Sequence, residues 1–353
     1  MALDLYETIR TNKKVVIWSA FLVLLFLVRK LFGLVFLTFI LCYIFNNITA
    51  RLERRLPISR RLNLVIIYIV FVCLVAGVLF IVMPRIASET TIFVNQFPAS
   101  LDTLHERLDE LARKQPDMAP LFLGVKDTLT IKGMLGVNRE TLVATIGKTL
   151  NKVTHYVSYF FLGTLFSFFI LFDLPNLSTR TQSLEHTRFR AIYEETAESV
   201  VQFAMVVGAA FQAQILIAAF NTALTALGLW LLGIEPVALL SIIVFFAGLI
   251  PVLGTFISSV PILLLAFNSQ GWILALKAVG MIAVVHVVEA YILNPNIFSA
   301  VLKINPILTL IILYLGYSLF GIWGVLLGVP FSVYIYRYIL FPAVDRIVER
   351  DSE

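Results

Sequence analysis

Long stretches without a charged residue dominate the chain, and short charged clusters punctuate them. Charge-free runs occupy Leu31–Ala50, Leu62–Pro84, Val153–Phe172, Ser199–Ile234, Pro236–Leu276 and Ile304–Tyr336. Each meets or exceeds the roughly 20 residues that a helix needs to cross about 30 Å of hydrocarbon. An earlier run, Val15–Val28, is short, and Arg29-Lys30 separates it from the next. It predicts either a tight helical hairpin with Leu31–Phe45, its charged turn snorkelling outward, or an interfacial helix before a single span. Val237–Phe267 errs the other way: about 31 residues make about 46 Å of helix, too long for one straight crossing. Ile307–Leu340 is also too long.

Both overlong segments carry Gly/Pro interruptions. The first reads GLIPVLGTFISSVP (Gly248 to Pro261) and the second LFGIWGVLLGVP (Leu319 to Pro330). A helix breaker at membrane depth exposes backbone groups that lipid cannot satisfy, so it survives only inside protein or beside a water-filled cavity. Paired interrupted segments point to a transporter's binding site. A weak repeat sets Ile250-Pro251-Val252-Leu253-Gly254 against Phe320-Gly321-Ile322-Trp323-Gly324.

The remaining pattern completes an all-α polytopic membrane protein of about eight transmembrane helices, two of its segments broken or re-entrant, with a small helical polar insertion. Residues 1–83 are read as N-terminal spans, the last of them Leu62–Met83 ending at Pro84. Residues 84–150 are the polar insertion, where Leu101, Leu104, Leu108 and Leu111 form the stripe of an amphipathic helix packed on its own protein or a neighbouring subunit. Residues 151–200 hold the span Thr154–Phe172 and a charged connector entered at Pro175. Residues 201–342 form the transport core, with spans Phe203–Leu232 and Trp272–Leu293 besides the two broken segments. Residues 343–353 are a tail.

Composition agrees. The 353 residues are 59% hydrophobic and 14% charged, with a mean hydropathy of +0.92, whereas soluble domains are about 25% charged. The net charge of +5 is read as topology and not as nucleic-acid binding, because the cations cluster beside spans. Arg51, Arg54, Arg55, Arg60 and Arg61 face only Glu53, which predicts a cytoplasmic loop. The insertion's balanced charges then fall outside the cytoplasm, and both termini inside. Tyr334, Tyr336, Arg337 and Tyr338 read as an interfacial belt, and no secretory signal peptide is expected. Cys42 and Cys73 read as small apolar core residues.

Few polar residues lie within the spans. Glu289 is the single acid between Glu235 and Asp345, and ionisable groups in spans face the bundle interior, a cavity or a partner. It is a candidate proton carrier or cation ligand, the bland alternative being a helix-end marker near water. His286 shares its face, and Asn294-Pro295-Asn296 follows where the helix must end. Gln214 and Asn221 share a face of span five, suited to interhelical hydrogen bonds or substrate contact. Pro251, Gly254, Gly321 and Gly324 would present free backbone dipoles at the breaks, while Gly324 and Gly328 also fit close helix packing. Lys277 reads as a snorkelling interfacial lysine.

Enzymatic motifs fail. Gly147-Lys148-Thr149 resembles the end of a phosphate-binding loop, but Leu142 stands where its first glycine belongs. There is no HExxH, and His105, His155, His186 and His286 are scattered. No cofactor, resident metal or catalytic residue is expected.

Five stretches together resemble the autoinducer-2 exporter family of bacterial and archaeal permeases: Leu52–Val70, Gln212–Pro236, Gly248–Phe267, Val287–Leu310 and Leu319–Val333. Singly they are weakly specific; in this order and spacing they are strong. The family's IP-x-x-G is matched by Ile250-Pro251 and Gly254, its E-x-x-x-LNP by Glu289 with Leu293-Asn294-Pro295, and its glycine turn by Gly321 and Gly324. Thr255 and Gln212 depart from the family's usual proline and glycine. The resemblance implies a multi-span permease in the cytoplasmic membrane, exporting an autoinducer-2-like solute or exchanging sodium for protons. It also implies a homo-oligomer, with a pentamer as the expected number. The rival expectation is a non-transporting or channel-like membrane scaffold.

Overall fold

The computed structural model describes residues 31–55, 57–128, 153–187, 190–251, 253–298 and 306–336. The expected hairpin at Val15–Val28, the 142–149 segment and the tail lie outside them. Every regular element among the described residues is helical. In chain order they are α1 (Phe32–Glu53), α2 (Arg60–Lys114), α3 (Ala119–Thr128), α4 (Val153–Phe172), α5 (Leu174–Gln182) and α6 (Arg190–Leu232). Then follow α7 (Val237–Gly248), α8 (Leu253–Val288), a π-helical turn (Glu289–Leu293), α9 (Asn294–Phe298), α10 (Pro306–Phe320) and α11 (Ile322–Tyr334).

Among the described residues four helices are long and apolar enough to cross a membrane: α1, α2, α6 and the run Leu253–Ile297. A fifth is added if α4 and α5, bent by 66° at Asp173, count as one span. Three shorter apolar helices remain, Val237–Gly248, Ile307–Phe320 and Ile322–Tyr334.

Pro84 does not end its helix. Helix α2 runs through both Pro84 and Pro98 for 55 residues, about 82 Å. A proline removes one backbone donor and crowds one carbonyl, and the flanking turns outlast that loss. What stops at Pro84 is the charge-free stretch, so the polar insertion begins as an in-line extension of the span.

The chain divides into two compact units. One comprises Met1–Val72, Thr154–Gln212 and Val333–Glu353. Its core gathers Leu41, Phe45, Leu64, Tyr68 and Leu171, with the Phe45 and Tyr68 rings 4.5 Å apart. Two buried hydroxyls pair locally: Tyr68 Oη donates to Ser167 Oγ at 2.8 Å, and Ser167 Oγ to the Thr164 carbonyl at 2.8 Å. Asn47 Nδ2 donates to Gln212 Oε1 at 2.9 Å, and Arg60 reaches Asn46 Oδ1 at 2.9 Å. Cys42 is half-buried and donates to the Ser167 carbonyl, whereas Cys73 is exposed. The core reading therefore holds for Cys42 alone, since Cys73 falls on the outward face of α2.

The other unit, Cys73–Val153 with Ala213–Ser332, contains both broken segments, and each is a tight antiparallel hairpin. Helix α7 has 12 residues, about 18 Å, and after Leu249 the chain turns back into α8, which begins at Leu253. Helices α10 and α11 have 15 and 13 residues, about 22 and 20 Å, and turn at Gly321, whose φ is +60°. The arms of each hairpin touch through backbone. A Cβ on Gly254 would meet the Ala247 carbonyl, and Cβ atoms on Gly316 and Gly324 would each meet the other's carbonyl. One pair higher, Gly328 faces Ile312. Side chains larger than hydrogen would hold the arms apart, which is why glycines recur there.

The first hairpin carries the largest core. Leu240, Val244, Ile262, Leu265 and Ala266 pack with Leu229 of α6, Leu274 and Ala278 of distal α8, and Phe93, Phe97 and Leu101 of α2. The leucine stripe thus packs on its own chain: Leu101 and Leu108 are buried, and Leu104 lies against this core. Glu89 Oε2 accepts the Leu239 N–H at 2.8 Å, capping the third residue of α7 from across the fold. Ile250 and Leu253, at the hairpin tip, pack on Leu313, Val325 and Val329 of the second hairpin. Distal α8 begins at a kink, where Gln270 and Gly271 leave helical geometry. Trp272 and Lys277 beyond it are exposed.

Candidate functional site

Helix ends inside an apolar bundle need partners, and the first break finds them within the protein. The Gly248 carbonyl, last in α7, accepts from Gln214 Nε2 of α6. Leu249 and Ile250 N–H groups return to the Phe246 and Ala247 carbonyls, and Leu253 and Gly254 N–H groups to those of Pro251 and Ile250. At the second break, Gly321 N–H reaches Tyr317 and the Gly321 carbonyl accepts from Gly324. The expectation of free backbone dipoles fails at these carbonyls, because side chains and tight turns already occupy them.

What the first hairpin does border is a cavity of about 30 Å³, lined on its polar side by Asn221 and Thr225 of α6, Thr255, Ser258 and Ser259 of α8, and Glu289. Gly248, Gly254 and apolar residues complete the wall. Asn221 and Thr225 are one helical turn apart, as are Thr255 and Ser259, so each helix turns a polar stripe inward.

Glu289 opens the π-helical turn, in which the Asn294 N–H returns to the Glu289 carbonyl. The cause lies downstream. Pro295 cannot donate, and its ring would crowd the carbonyl four residues back in a regular helix; the wider turn relieves that clash. Asn296 Nδ2 takes the Ile292 carbonyl at 2.7 Å. Single π turns of this kind occur often at functional sites. The Glu289 side chain is 19% exposed, and its Oε2 accepts from Asn221 Nδ2 at 2.8 Å. His286, half-exposed, holds Nδ1 at 3.6 Å from the same oxygen. That is too long for a hydrogen bond, and it supplies charge only when protonated.

Of the residues singled out from sequence, Glu289, Asn221 and Gly254 meet at the cavity, with Gln214 one bond behind its wall and His286 at its edge. Asn294 contributes its backbone to the π turn. Pro251 belongs to the hairpin turn, and Gly321 and Gly324 to the second hairpin, away from the cavity wall. Thr225, Thr255, Ser258 and Ser259 were missed by sequence reasoning. Thr225, one turn from Asn221, carried a weak spacing signal, whereas the hydroxyls beside the break carried almost none. No group of three His, Cys, Asp or Glu side chains suited to a metal occurs among the described residues.

Apolar helices in this number, two helical hairpins and an acid in a polar-lined cavity point to the class that the family match shows: a multi-pass membrane transporter. The chain belongs to the AI-2E family of transporters, whose profile matches residues 15–341. It is 28% identical over 327 residues to YdbI of Bacillus subtilis (strain 168), proposed to be a transport protein, covering 90% of this chain and 89% of that one. It is 25% identical to YueF of the same organism, also proposed for transport, over 85% of this chain and 81% of the other. A sodium-lithium/proton antiporter of Halobacillus andaensis is 21% identical over 78% of this chain and 80% of its own.

Proposed function

We propose that the protein is a secondary permease whose coupling group is Glu289. The observation that carries this reading is the placement of one acid at a π turn, held by the buried Asn221 in a polar-lined cavity beside a broken hairpin. An acid in such a place alternates between a charged state, which attracts a cation, and a neutral state, which crosses an apolar bundle at far lower cost. Exchange follows when the hairpin exposes that acid to one side of the membrane at a time. The work done is transport driven by a proton or sodium gradient, with no covalent chemistry. The cavity has room for on the order of one or two waters, a size that suits a small ion. The kinship with a sodium-lithium/proton antiporter points the same way.

This reading puts the protein in the cytoplasmic membrane as a homo-oligomer, a pentamer being the expected number, with the arginine-rich loop at 51–61 facing the cytoplasm. The scaffold alternative loses part of its support, since Leu101 and Leu104 of the leucine stripe pack on the chain's own core. The test is flux in proteoliposomes under imposed proton or sodium gradients, with alkali cations and autoinducer-2 as cargo. Gradient-dependent flux by the wild type, abolished in Glu289→Gln, is the expected result. Equal flux in a folded Glu289→Gln protein would falsify the assignment.

A further inference from the structure

The turn that joins α1 to α2 carries Arg51, Arg54, Arg55, Arg60 and Arg61 against a single acid, Glu53. Helix α1 ends at Glu53 and α2 starts at Arg60, so the turn is tethered to the membrane surface by a span on either side. Like charges crowded at this spacing repel one another unless something offsets them. Glu53 does not: its Oε1 is buried and has no partner, and no ion pair joins it to an arginine among the described residues. Arg60 is turned inward, where it donates to Asn46 Oδ1 at 2.9 Å. Arg51, Arg54 and Arg55 are exposed and hold no hydrogen bond or ion pair among the described residues. The right-handed helical backbone at Arg54 carries α1 far enough to bring these three, spaced three and four residues apart, to one face.

Apolar surface begins directly beside the charges. Arg61, exposed at the start of α2, holds its guanidinium 5.3 Å from the centre of the Phe172 ring at the end of α4. From this level Leu62, Ile66 and Ile69 of α2 are exposed, as are Leu165, Phe169 and Phe172 of α4. Each trio has the spacing of one helical face. A soluble polyanion would answer the arginines and leave these faces unmet. An anionic phospholipid answers both, with its phosphate on the guanidinium forks and its acyl chains along the helices. A choline headgroup brings a cation of its own, which the cluster repels, so a headgroup of net negative charge is selected.

We propose that the α1–α2 turn is a docking surface for an anionic phospholipid, with its phosphate on Arg51, Arg54 and Arg55 and its acyl chains on the apolar faces beside Arg61. Topology alone asks only for positive charge at this end of the spans. Lipid docking asks for arginine in particular, because the planar guanidinium pairs two phosphate oxygens at once and an ammonium meets them as a point charge. The proposal is independent of which ion or solute the protein moves.

The test uses the purified, delipidated full-length protein in neutral detergent, titrated with phosphatidylglycerol or phosphatidylcholine and read by native mass spectrometry. Saturable phosphatidylglycerol binding is expected, at least tenfold tighter than that of phosphatidylcholine and not displaced by water-soluble glycerol phosphate. Each arginine lost should weaken it about fivefold, so the triple variant Arg51→Gln, Arg54→Gln, Arg55→Gln should lose on the order of a hundredfold. The corresponding triple lysine variant should bind several-fold more weakly than wild type. It retains the topological charge and so keeps the test meaningful should the glutamine variant insert in the wrong orientation. Arg107→Gln, in the polar insertion, should change nothing. Equal affinity for the two lipids, or full affinity in either triple variant, would overturn the proposal. Displacement by glycerol phosphate would overturn it too, since the cluster would then be a site for free phosphate esters and not for lipid.

Discussion

The second hairpin gives two glycines three residues apart with different reasons to be glycine, and substitution separates them. At Gly321, φ is +60° and a Cβ would meet nothing within 4 Å. Alanine there costs only the left-handed conformation, about 1–2 kcal/mol, and asparagine recovers much of that because it tolerates the same region. At Gly324 the backbone is helical, but a Cβ would strike the Gly316 carbonyl. That obstacle cannot rotate away as a side chain would, so overpacking reaches the upper end of its usual range, about 3 kcal/mol. Alanine's better helix propensity returns about 1 kcal/mol, leaving Gly324→Ala about 2 kcal/mol destabilised, roughly thirtyfold in the unfolding equilibrium. Asparagine at 324 gives no rescue. In the pair Gly316→Ala with Gly324→Ala, the first methyl already separates the arms. The double variant should therefore cost less than the sum, by at least about 0.5 kcal/mol. Equilibrium unfolding in mixed micelles, followed by tryptophan fluorescence, reads all six variants. Strict additivity, or a stabilised Gly324→Ala protein, would mean that the arms do not meet through backbone as described.

Three further outcomes are expected. Glu89→Ala should destabilise the protein by about 1 kcal/mol, the worth of a helix cap; Glu89→Gln, whose amide oxygen can still accept from Leu239, should cost less in the same unfolding assay. Removing the carboxylate's donor with Asn221→Leu and the acceptor with Glu289→Leu should show coupling of about 1.5–3 kcal/mol in a double-mutant cycle on stability, and zero coupling would contradict the observed bond. Outside the spans, the hydrogen bond from Lys126 holds the Asp109 carboxyl below its ordinary value of 3.8. A depressed carboxylate favours the ionised fold, so its contribution is complete above the ordinary value and disappears as pH falls through the lowered one. The stability difference between wild type and Asp109→Asn should therefore be flat near neutrality and close only under acid, below about pH 4. A difference that closes near neutral pH would implicate another group.

Hydropathy made the membrane class legible, and overlength made both breaks legible, because a helix rises by a fixed amount per residue whatever its neighbours. Pro84 misled as a terminator, since proline's local cost can be absorbed where a long helix continues on both sides. Glu289 and Asn221 were visible as rare polar residues at membrane depth. Their pairing was not, because it joins residues far apart in sequence through a helix crossing. Ser258 and Ser259 carried almost no signal, as small hydroxyl residues are common in apolar helices and become informative only once a cavity is seen beside them. The fate of the Gly248 carbonyl at the end of α7 depended on Gln214, whose partner choice no local pattern encodes.

Because the arms of each hairpin are joined through backbone at Gly254 and at the Gly316–Gly324 pair, neither hairpin can open like scissors without breaking its closest contact. Each behaves mechanically as a stiff paddle, pivoting at its ends. The first has its pivots at the capped start of α7 and at the Gln270–Gly271 kink. Any stroke that carries the cavity wall past Glu289 is then a rotation of the whole blade about those two ends, and its stiffness sets the length of the lever.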